Sequence, residues 1–385
     1  MIDSSPRAWA TIDLRALKKN LSQVNAHCPE SQVVPVIKAN AYGHGVEKVA
    51  LALNAMHREF AALAVASMEE AMELRTLGIR TPILLLSGFR NKAEMDLCLN
   101  HKIEPMIHSM YQFEEIDKYL QTEILSGVGR VWVKFNSGMN RLGFDKEQAL
   151  RVYGDLHRHP DTEVVLMSHL ASADDPESKS AVELTQRQIA EFDSLKQQIA
   201  SSTQGPVQAS LAASAGILSL PQTHHQFVRP GFMLYGGSPF TNRTAQEIGL
   251  LPVMTLCAKI FAINTVEAGG TIGYGATHRC KQDTRVGIVS IGYADGYPRS
   301  AKNGTPVLVK TKDGAQRTAL LGRVSMDTIA IDLTGLDTVQ LDDEVVLWGD
   351  GLPADEVAQH ADTISYELFC KVTKRVEFVY TEERL

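Results

Sequence analysis

The chain has 385 residues, of which 44% are hydrophobic and 22% charged, the balance of a soluble globular protein large enough for two domains. Its formal net charge of −7 argues against a nucleic-acid or an anionic-membrane partner, because both bind basic surfaces. The five cysteines are scattered without a C-x-x-C pair, and no apolar run is long enough for a signal peptide or a membrane span, so we predict a cytoplasmic protein.

Short apolar runs recur through the first part of the chain, separated by segments of helical length. The runs are residues 33–38, 61–67, 81–88, 102–109, 130–136, 163–170, 207–214 and 226–232. Runs that are apolar on both faces are typical of a parallel sheet covered by helices. Eight such strand–helix units within about 240 residues predict a (β/α)8 barrel, the TIM-like fold, over residues 1–244, because this fold typically takes about 250 residues.

The segments between these runs carry helix signals. Ahead of the first run, one helical face collects the apolar residues Leu14, Leu17, Leu21 and Val24. After the second run, Ser67 is followed three residues later by Glu70, a capping-box pattern that predicts the start of a helix, and Gly78 predicts its end.

The pattern changes near residue 245, where strand-like runs follow one another with few helices and with Gly and Asp-Gly turns between them. These runs are residues 254–266, 284–296, 305–311, 319–333 and 343–349. A helical segment over 357–372 then precedes a last strand near 375–380. We therefore predict an α/β chain whose second domain, residues 245–385, is mostly β.

Polar residues stand at the predicted carboxyl ends of the barrel strands, where this fold places its chemistry. They are Lys38, Lys134, Arg141, His169, Ser214 and Arg229, and Gly231 follows at the end of the eighth strand. Each one alone has an ordinary interpretation, such as a solvated lysine, a histidine near the core or a serine that caps a helix. Their convergence on one face of the barrel predicts an active site there, but does not say which reaction it performs.

The ends of the last two barrel strands are typical of phosphate-binding loops. Ser214 offers a hydroxyl, and Gly231 lets the backbone approach an anion. A lysine at the first strand with a phosphate cradle opposite suggests a phosphorylated aldehyde held as a Schiff base, and pyridoxal 5'-phosphate fits this description. A metal is the weaker hypothesis, because His224 and His225 are adjacent and no H-E-x-x-H or C-x-x-C motif occurs.

Nine segments resemble motifs of the bacterial alanine racemases, in the order of that family and along nearly the whole chain. They are RAWATIDLRALKKNL, VIKANAYGHG, KFNSGMNRLGF, SHLASADD, VRPGFMLYGGSP, IGYGAT, SIGYADGYPR, GRVSMD and TISYE. The lysine motif together with GMNRLGF and GYGAT is highly specific. The resemblance implies a pyridoxal-phosphate enzyme of fold type III that interconverts L-alanine and D-alanine.

The same resemblance implies roles for the catalytic and cofactor-binding residues. Lys38 would hold the cofactor and act as one base, and Tyr274 of the partner subunit would be the second base. Arg229 would face the pyridine nitrogen, and His169 would hydrogen-bond to Arg229 and help to poise the tyrosine. The residues that would hold the phosphate are Tyr42, Ser214, Gly231, Phe232 and Tyr366.

On the substrate side, the resemblance implies that Arg141 contacts the cofactor's phenolate oxygen and the substrate carboxylate. The backbone N–H of the partner's Met326 would share that carboxylate, and Tyr293 and Tyr366 would narrow the entrance. Lys134 stands where family members often carry a carbamate. Three departures from the family pattern leave every catalytic group in place: Asn136 for an aspartate, Ala213 for an asparagine, and Ser325 where some members have cysteine.

Racemisation needs a base on each face of a planar centre, and an amine and a phenol can fill the two positions. Both groups ordinarily have pKa values near 10, so each must be tuned toward neutrality before it can act as a base. Arg229 is always charged and only donates hydrogen bonds, so it would keep the ring nitrogen unprotonated and make the ring a weaker electron sink. We expect this to shorten the life of the carbanion and to suppress transamination.

If Tyr274 and Met326 lie in the second domain, a head-to-tail two-fold dimer can place them over the neighbour's barrel, so we expect a homodimer with shared sites. Three alternatives are weaker. A non-catalytic pyridoxal-phosphate barrel would have a single domain, a broad-specificity racemase would usually be exported, and a fold-type III decarboxylase has different motifs around the lysine. The sequence does not separate D-alanine supply for peptidoglycan from alanine catabolism.

Overall fold

The protein is described here by a computed structural model that covers residues 6–120 and 129–382. The first strand, β1 (Ala8–Asp13), belongs to the second of its two regions. Within the described residues, the first region is a sheet of parallel strands: β2 (Gln32–Val33), β3 (Leu63–Val65), β4 (Ile83–Leu85), β5 (Ile103–Ile107), β6 (Arg130–Lys134), β7 (Glu163–Met167), β8 (Gln208–Ala213) and β9 (Phe227–Arg229). All eight predicted strands are therefore present, and each is shorter than its apolar run.

Neighbouring strands of this sheet follow the order β2, β9, β8, β7, β6, β5, β4, β3. The two ends of that order also meet. The backbone N–H of Ala64 donates to the carbonyl of Pro35, and the N–H of Ile37 donates to the carbonyl of Ala64, both at 2.8 Å. The sheet thus closes on itself, as the predicted barrel requires.

Helices cover the outside of the barrel between its strands. They are α1 (Leu14–His27), α2 (Val46–Asn54), α3 (Met68–Thr76), α4 (Lys92–His101), α5 (Met110–Leu120), α6 (Lys146–His157), α7 (Lys179–Thr203) and α8 (Ser214–Ser219). The apolar face predicted for α1 is buried, and Asp13 caps this helix by accepting from the N–H groups of Arg15 and Ala16. The predicted capping box of Ser67 and Glu70 forms at the start of α3.

The second region is mostly β. Its strands are β10 (Met254–Val266), β11 (Thr271–Ile272), β12 (His278–Arg279), β13 (Thr284–Val289), β14 (Pro306–Thr311), β15 (Gly314–Leu321), β16 (Ile329–Asp332), β17 (Glu344–Trp348) and β18 (Glu377–Thr381). The main sheet has the order β13, β16, β15, β14, β17, β10, β1, β18, and β10 also pairs with β13. β11 and β12 form a separate hairpin.

The chain enters this second sheet before it enters the barrel. Strand β1 pairs antiparallel with β10 and parallel with β18. Its side chains alternate between buried and half-buried, and Ala8, Ala10 and Ile12 face the core. The predicted domain boundary after residue 244 stays a prediction, and the structure adds that the first strand packs with the strands beyond it.

The helical segment expected over residues 357–372 is two helices, α9 (Ala354–His360) and α10 (Ser365–Lys371). The helix breaks because Asp362 has a φ of 51° and the N–H of Thr363 turns back to the carbonyl of Ala358. The break brings Tyr366, on α10, against the barrel, where its ring stacks on that of Phe232 with centroids 3.5 Å apart. Within the described residues, no helix is both long and apolar enough to span a membrane.

Candidate active site

A cavity of about 840 Å³ opens at the carboxyl ends of the barrel strands. Most of the residues that the sequence predicts for the active site line it: Lys38, Tyr42, Lys134, Arg141, His169, Ser214, Arg229, Gly231, Phe232 and Tyr366. We call this set the barrel mouth. The barrel fold explains the gathering, because parallel strands bring all of their carboxyl ends to one rim.

Lys38 follows directly on the strand segment that closes the barrel, and its side chain lines the cavity. Burial lowers the pKa of the Lys38 amine, and the positive charge of Arg141 lowers it further, while Glu70 and Cys370 oppose this shift. An amine whose pKa is lowered has a larger neutral fraction near pH 7, so it is a better nucleophile and a better base.

The chain turns away from Lys38 before it reaches the glycines of the lysine motif. Ala39, Asn40, Ala41 and Tyr42 all have φ between 51° and 54°, which is one turn of left-handed helix built from residues with side chains. Such a conformation is unfavourable for residues other than glycine, so neighbouring contacts must hold it.

A small polar cradle lies on the opposite wall of the cavity. The hydroxyl oxygen of Ser214 accepts hydrogen bonds from the N–H groups of Gly231, at 3.2 Å, and Met233, at 3.3 Å. This leaves the Ser214 hydroxyl hydrogen to donate to a ligand. A Cβ on Gly231 would stand 2.6 Å from the Tyr42 hydroxyl, so only glycine leaves room for the tyrosine there.

The chemistry of this cradle fits a phosphate group. Burial raises the pKa of Tyr42 and of Tyr366, so both phenols stay protonated and can donate hydrogen bonds to an anion. Ser214 begins the short helix α8, so the positive end of the helix backbone is near. Together with the Lys38 amine in the same cavity, these donors suit a phosphorylated aldehyde, and the site residues therefore fit pyridoxal phosphate.

Arg229 lies at the floor of the barrel mouth and is only 3% exposed. Its guanidinium donates to the Ser210 hydroxyl, to the carbonyl of Ser168 at 2.6 Å and to the carbonyl of Leu211 at 3.2 Å. Burial lowers the pKa of Arg229, but these three acceptors suit a charged guanidinium. The hydrogen bond expected between Arg229 and the His169 ring is absent among the described residues, and the guanidinium donates to the backbone carbonyls of Ser168 and Leu211.

Lys134 and His169 are the other titratable groups in the floor. Lys134 is 8% exposed and faces the cavity, and burial followed by the charges of Arg229 and Arg141 lowers its pKa well below the ordinary value. Burial also lowers the pKa of His169, and four surrounding cations add to the effect. Asn136 does not reach toward Lys134, because its amide oxygen accepts from N–H groups within its own turn.

Tyr274, Tyr293 and Met326 do not line the cavity. They are 69%, 40% and 52% exposed, and we call the segments that carry them the outer tips. Tyr274 lies in a short turn between β11 and β12. The N–H of Tyr293 donates to the carbonyl of Ser325 at 3.0 Å, so two of the tips are joined to each other.

Family models account for most of the chain. The model for the N-terminal domain of alanine racemase matches residues 12–239, and the model for its C-terminal domain matches residues 253–380. The chain belongs to the alanine racemase family. The activity of this family is the racemisation of alanine, and both the barrel and the β domain of the chain fall within its models.

Individual alanine racemases are similar to the chain over its whole length. The enzyme of Coxiella burnetii (strain RSA 331) is 43% identical over 384 residues, which is 98% of this chain and 100% of the relative. The structure of alanine racemase from Acinetobacter baumannii superimposes with a TM-score of 0.89 at 39% identity, covering 98% of this chain and 100% of that one. The Bartonella henselae alanine racemase, solved with covalently bound pyridoxal phosphate, has a TM-score of 0.82 at 29% identity, with the same coverage.

Two carboxylates support the turn after Lys38 and the outer tips, and the sequence did not indicate either role. Glu70, assigned only to a helix cap, also accepts from the N–H of Ala39 in the left-handed turn, at 2.6 Å. Asp295 is fully buried, pairs with Arg7 and Arg375, and accepts from the N–H of Gly292 beside the outer tips. Ala39 is distant in sequence from Glu70, and Arg7 and Arg375 are distant from Asp295, so no local sequence pattern could have indicated these contacts.

Proposed function

We propose that this chain interconverts L-alanine and D-alanine with pyridoxal 5'-phosphate, using Lys38 and the partner subunit's Tyr274 as its two bases. The observation that carries the proposal is the barrel mouth, where one cavity holds the Lys38 amine and the phosphate-sized cradle of Ser214 and Gly231. Family membership supports the reaction, and the geometry of the cavity supports the cofactor.

The residues of the barrel mouth divide the work of holding the cofactor. Lys38 would bind its aldehyde carbon, while Tyr42, Ser214, Tyr366 and the backbone of Gly231 and Phe232 would bind its phosphate. Arg229 would donate to the ring nitrogen, and Arg141 to the phenolate oxygen. When bound, pyridoxal phosphate supplies an electron sink that stabilises negative charge on the α-carbon of the amino acid.

The protein's own groups then move the proton. Lys38 takes or returns the α-proton on one face, and its lowered pKa allows this near neutral pH. The opposite face needs a second group, and the exposure of Tyr274 supports supplying it to another copy of the chain. His169 would help to poise that tyrosine. We therefore propose a two-fold homodimer in which each barrel mouth meets the partner's outer tips.

The same arrangement sets the preference for a small substrate. Arg141 and the backbone N–H of the partner's Met326 would hold the alanine carboxylate. Tyr366 of the barrel mouth and the partner's Tyr293 would narrow the entrance, so that a methyl side chain is accepted more readily than a larger one. The partners proposed for this chain are thus alanine and a second copy of itself.

We also propose that Lys134 carries a carbamate. Its pKa is lowered by burial and by two neighbouring arginines, so the neutral amine that reacts with carbon dioxide is available. The negative carbamate would then offset the positive charges of Arg141 and Arg229. Isotope-labelled bicarbonate should give a carbamate carbon signal that is lost in Lys134→Ala.

We place this activity in the cytoplasm, where the five free cysteines stay reduced, and assign it to D-alanine supply for peptidoglycan or to alanine catabolism. The purified protein should show an absorbance band that disappears on borohydride reduction, with the reduced cofactor mapped to Lys38. In deuterated water, α-proton exchange should be much faster with alanine than with larger or basic amino acids. Carbon dioxide release instead of exchange would overturn the proposal.

A further inference from the structure

The left-handed turn that follows Lys38 needs external support. Ala39 is the first residue of this turn. The three residues after it, Asn40, Ala41 and Tyr42, form hydrogen bonds with residues further along the chain. The amide oxygen of Asn40 accepts from the N–H of Val46 at 2.7 Å, and Nδ1 of His44 donates to the carbonyls of Ala41 and Tyr42 at 3.1 and 2.9 Å. These contacts hold the end of the turn.

The beginning of the turn is held by a different element. The N–H of Ala39 donates to Oε1 of Glu70 at 2.6 Å. Glu70 lies in the first turn of α3, the helix of the next barrel unit. The other oxygen of this carboxylate, Oε2, accepts from the N–H groups of Ala66 and Ser67 at 2.7 and 3.2 Å, which completes the cap of α3. Glu70 therefore joins the residue beside Lys38 to the neighbouring strand and helix.

The helix α4 offers a natural comparison, because it has the same kind of cap without this reach. Its N-terminus is capped by Asn91, and Glu94 occupies the position that Glu70 has in α3. One oxygen of Glu94 accepts from the N–H of Arg90, and the other pairs with the side chain of the same arginine. Capping a helix thus does not require a contact with the lysine turn, and the Glu70–Ala39 bond is a separate feature.

Glu70 also contributes charge at Lys38. The charged and titratable groups that act on the Lys38 amine are Arg141 from the loop after β6, Cys370 on α10, Glu70 on α3, and His169 after β7. Burial and Arg141 lower the pKa of Lys38, and the Glu70 carboxylate is the strongest opposing influence. Its charge therefore keeps the pKa of the lysine from falling further.

We propose that Glu70 is a positioning residue for the reaction: its carboxylate clamps the left-handed turn after Lys38 to the next barrel unit and so fixes where the lysine amine enters the cavity. The inference rests on the proposed function only in that it takes Lys38 to be the reacting amine. Glu70 itself does not touch substrate or cofactor. Its effect should appear in the titration of Lys38 and in the catalytic rate.

The test compares Glu70→Gln and Glu70→Ala with the matched control Glu94→Gln. In the protein without cofactor, limited acetylation by acetic anhydride across a range of pH, with peptide mass spectrometry, gives the midpoint at which Lys38 becomes reactive. Both Glu70 variants should move this midpoint to lower pH, because both lose the negative charge.

In the enzyme loaded with cofactor, Glu70→Ala should lower kcat by about ten- to a hundredfold with KM changed less than about twofold, because misplaced reacting groups lower the rate. The kcat of Glu70→Gln should lie between those of Glu70→Ala and the unsubstituted enzyme.

Glu94→Gln should leave both the Lys38 midpoint and kcat unchanged, although it weakens a cap of the same type. If the Glu70 variants match Glu94→Gln in both measurements, the proposal is overturned. If Glu70→Ala does not fold, Glu70→Gln retains one acceptor and decides the question. If the unsubstituted protein fails to racemise alanine, the proposed function falls, while the acetylation profile still decides whether Glu70 controls Lys38.

Discussion

The barrel mouth and the outer tips are built on opposite plans. In the barrel mouth, two lysines, two arginines and a histidine surround one cavity, and several of them are nearly buried. In the outer tips, Tyr274, Tyr293 and Met326 turn large apolar surfaces to solvent. A cavity lined by basic side chains favours an anionic ligand, whereas an exposed apolar cluster favours contact with a protein surface. The contrast supports a site that is completed by a second copy of the chain.

The outer tips are exposed but not loosely held. Asp295 is fully buried beside them, where it pairs with Arg7 and Arg375 and accepts from the N–H of Gly292. Because Arg7 precedes β1 and Arg375 precedes β18, this carboxylate joins the two ends of the chain to the turn that carries Tyr293. The tip that carries Tyr293 is therefore held in a defined shape, as the proposed shared site requires.

Removing the amine of the barrel mouth should have the largest effect. Lys38→Ala deletes both the proposed attachment point of the cofactor and one of the two bases, so we expect racemisation to fall by at least about a thousandfold. The measurement is the rate of D-alanine formation together with the absorbance band of the bound cofactor. A variant that kept both the band and the rate would move the reacting amine elsewhere in the barrel mouth.

Removing the hydroxyl of the outer tips tests the other half of the comparison. Tyr274→Phe should lower racemisation by about a hundredfold or more while leaving cofactor binding intact, because the exposed ring is not part of the cavity of its own chain.

Mixing the two inactive variants then tests sharing directly. A mixed dimer of Lys38→Ala and Tyr274→Phe has one site with both groups, so random exchange should restore about a quarter of the full activity. If each variant stays inactive after verified subunit exchange, each chain must build its site alone.

Replacing a glycine by alanine should be more damaging in the barrel mouth than on the barrel surface. A Cβ at Gly231 would stand 2.6 Å from the Tyr42 hydroxyl, so Gly231→Ala should weaken cofactor binding by about tenfold through displacement of that tyrosine. The control is Gly154→Ala in α6, where a Cβ meets nothing within 4 Å and alanine favours the helix by about 0.5–1 kcal/mol. Titration with pyridoxal phosphate and thermal unfolding separate the two results. Equal cofactor affinity would show that Tyr42 is not part of the cradle.

The barrel and its mouth could be predicted from sequence because both follow from local patterns. Buried parallel strands are apolar on both faces, and their ends bring residues such as Lys38 and Ser214 together without further information. The Ser67 cap was likewise predictable, since its partner lies three residues away. The outer tips were assigned by resemblance alone, because the sequence around Tyr274 carries no chemical pattern of its own.

What the sequence did not reveal depends on contacts between distant segments. The strand Ala8–Asp13 pairs with strands that begin more than 240 residues later, and its alternating pattern does not name its partners. The left-handed turn after Lys38 consists of residues that favour other conformations, and its contacts with Glu70, His44 and Val46 stabilise it. Residues that support a strained site are therefore the hardest to predict from local propensity.

The last prediction concerns stability rather than activity, through a histidine behind the barrel mouth. The Nδ1 hydrogen of His44 points to two backbone carbonyls, and Nε2 is buried without a hydrogen-bond partner among the described residues. Burial lowers the pKa of His44 to about 4, from an ordinary value of 6.5. The unfolded chain therefore takes up a proton between pH 6.5 and 4 that the folded protein does not, and stability present above pH 6.5 is lost as the pH falls.

His44→Asn keeps an N–H near the position of Nδ1 but cannot take up that proton. At pH 7.5 we expect it to be less stable by about 1–3 kcal/mol, because the ring packs between Tyr235 and Phe369. Between pH 6.5 and 4, however, its free energy of unfolding in urea should fall by about 3 kcal/mol less than that of the unsubstituted protein.

His225→Asn is the control outside the barrel mouth. Burial also lowers the pKa of His225 to about 4, so its loss should flatten the profile of stability against pH without weakening cofactor binding. Parallel pH profiles for the unsubstituted protein and His44→Asn would show that folding does not lower the pKa of His44.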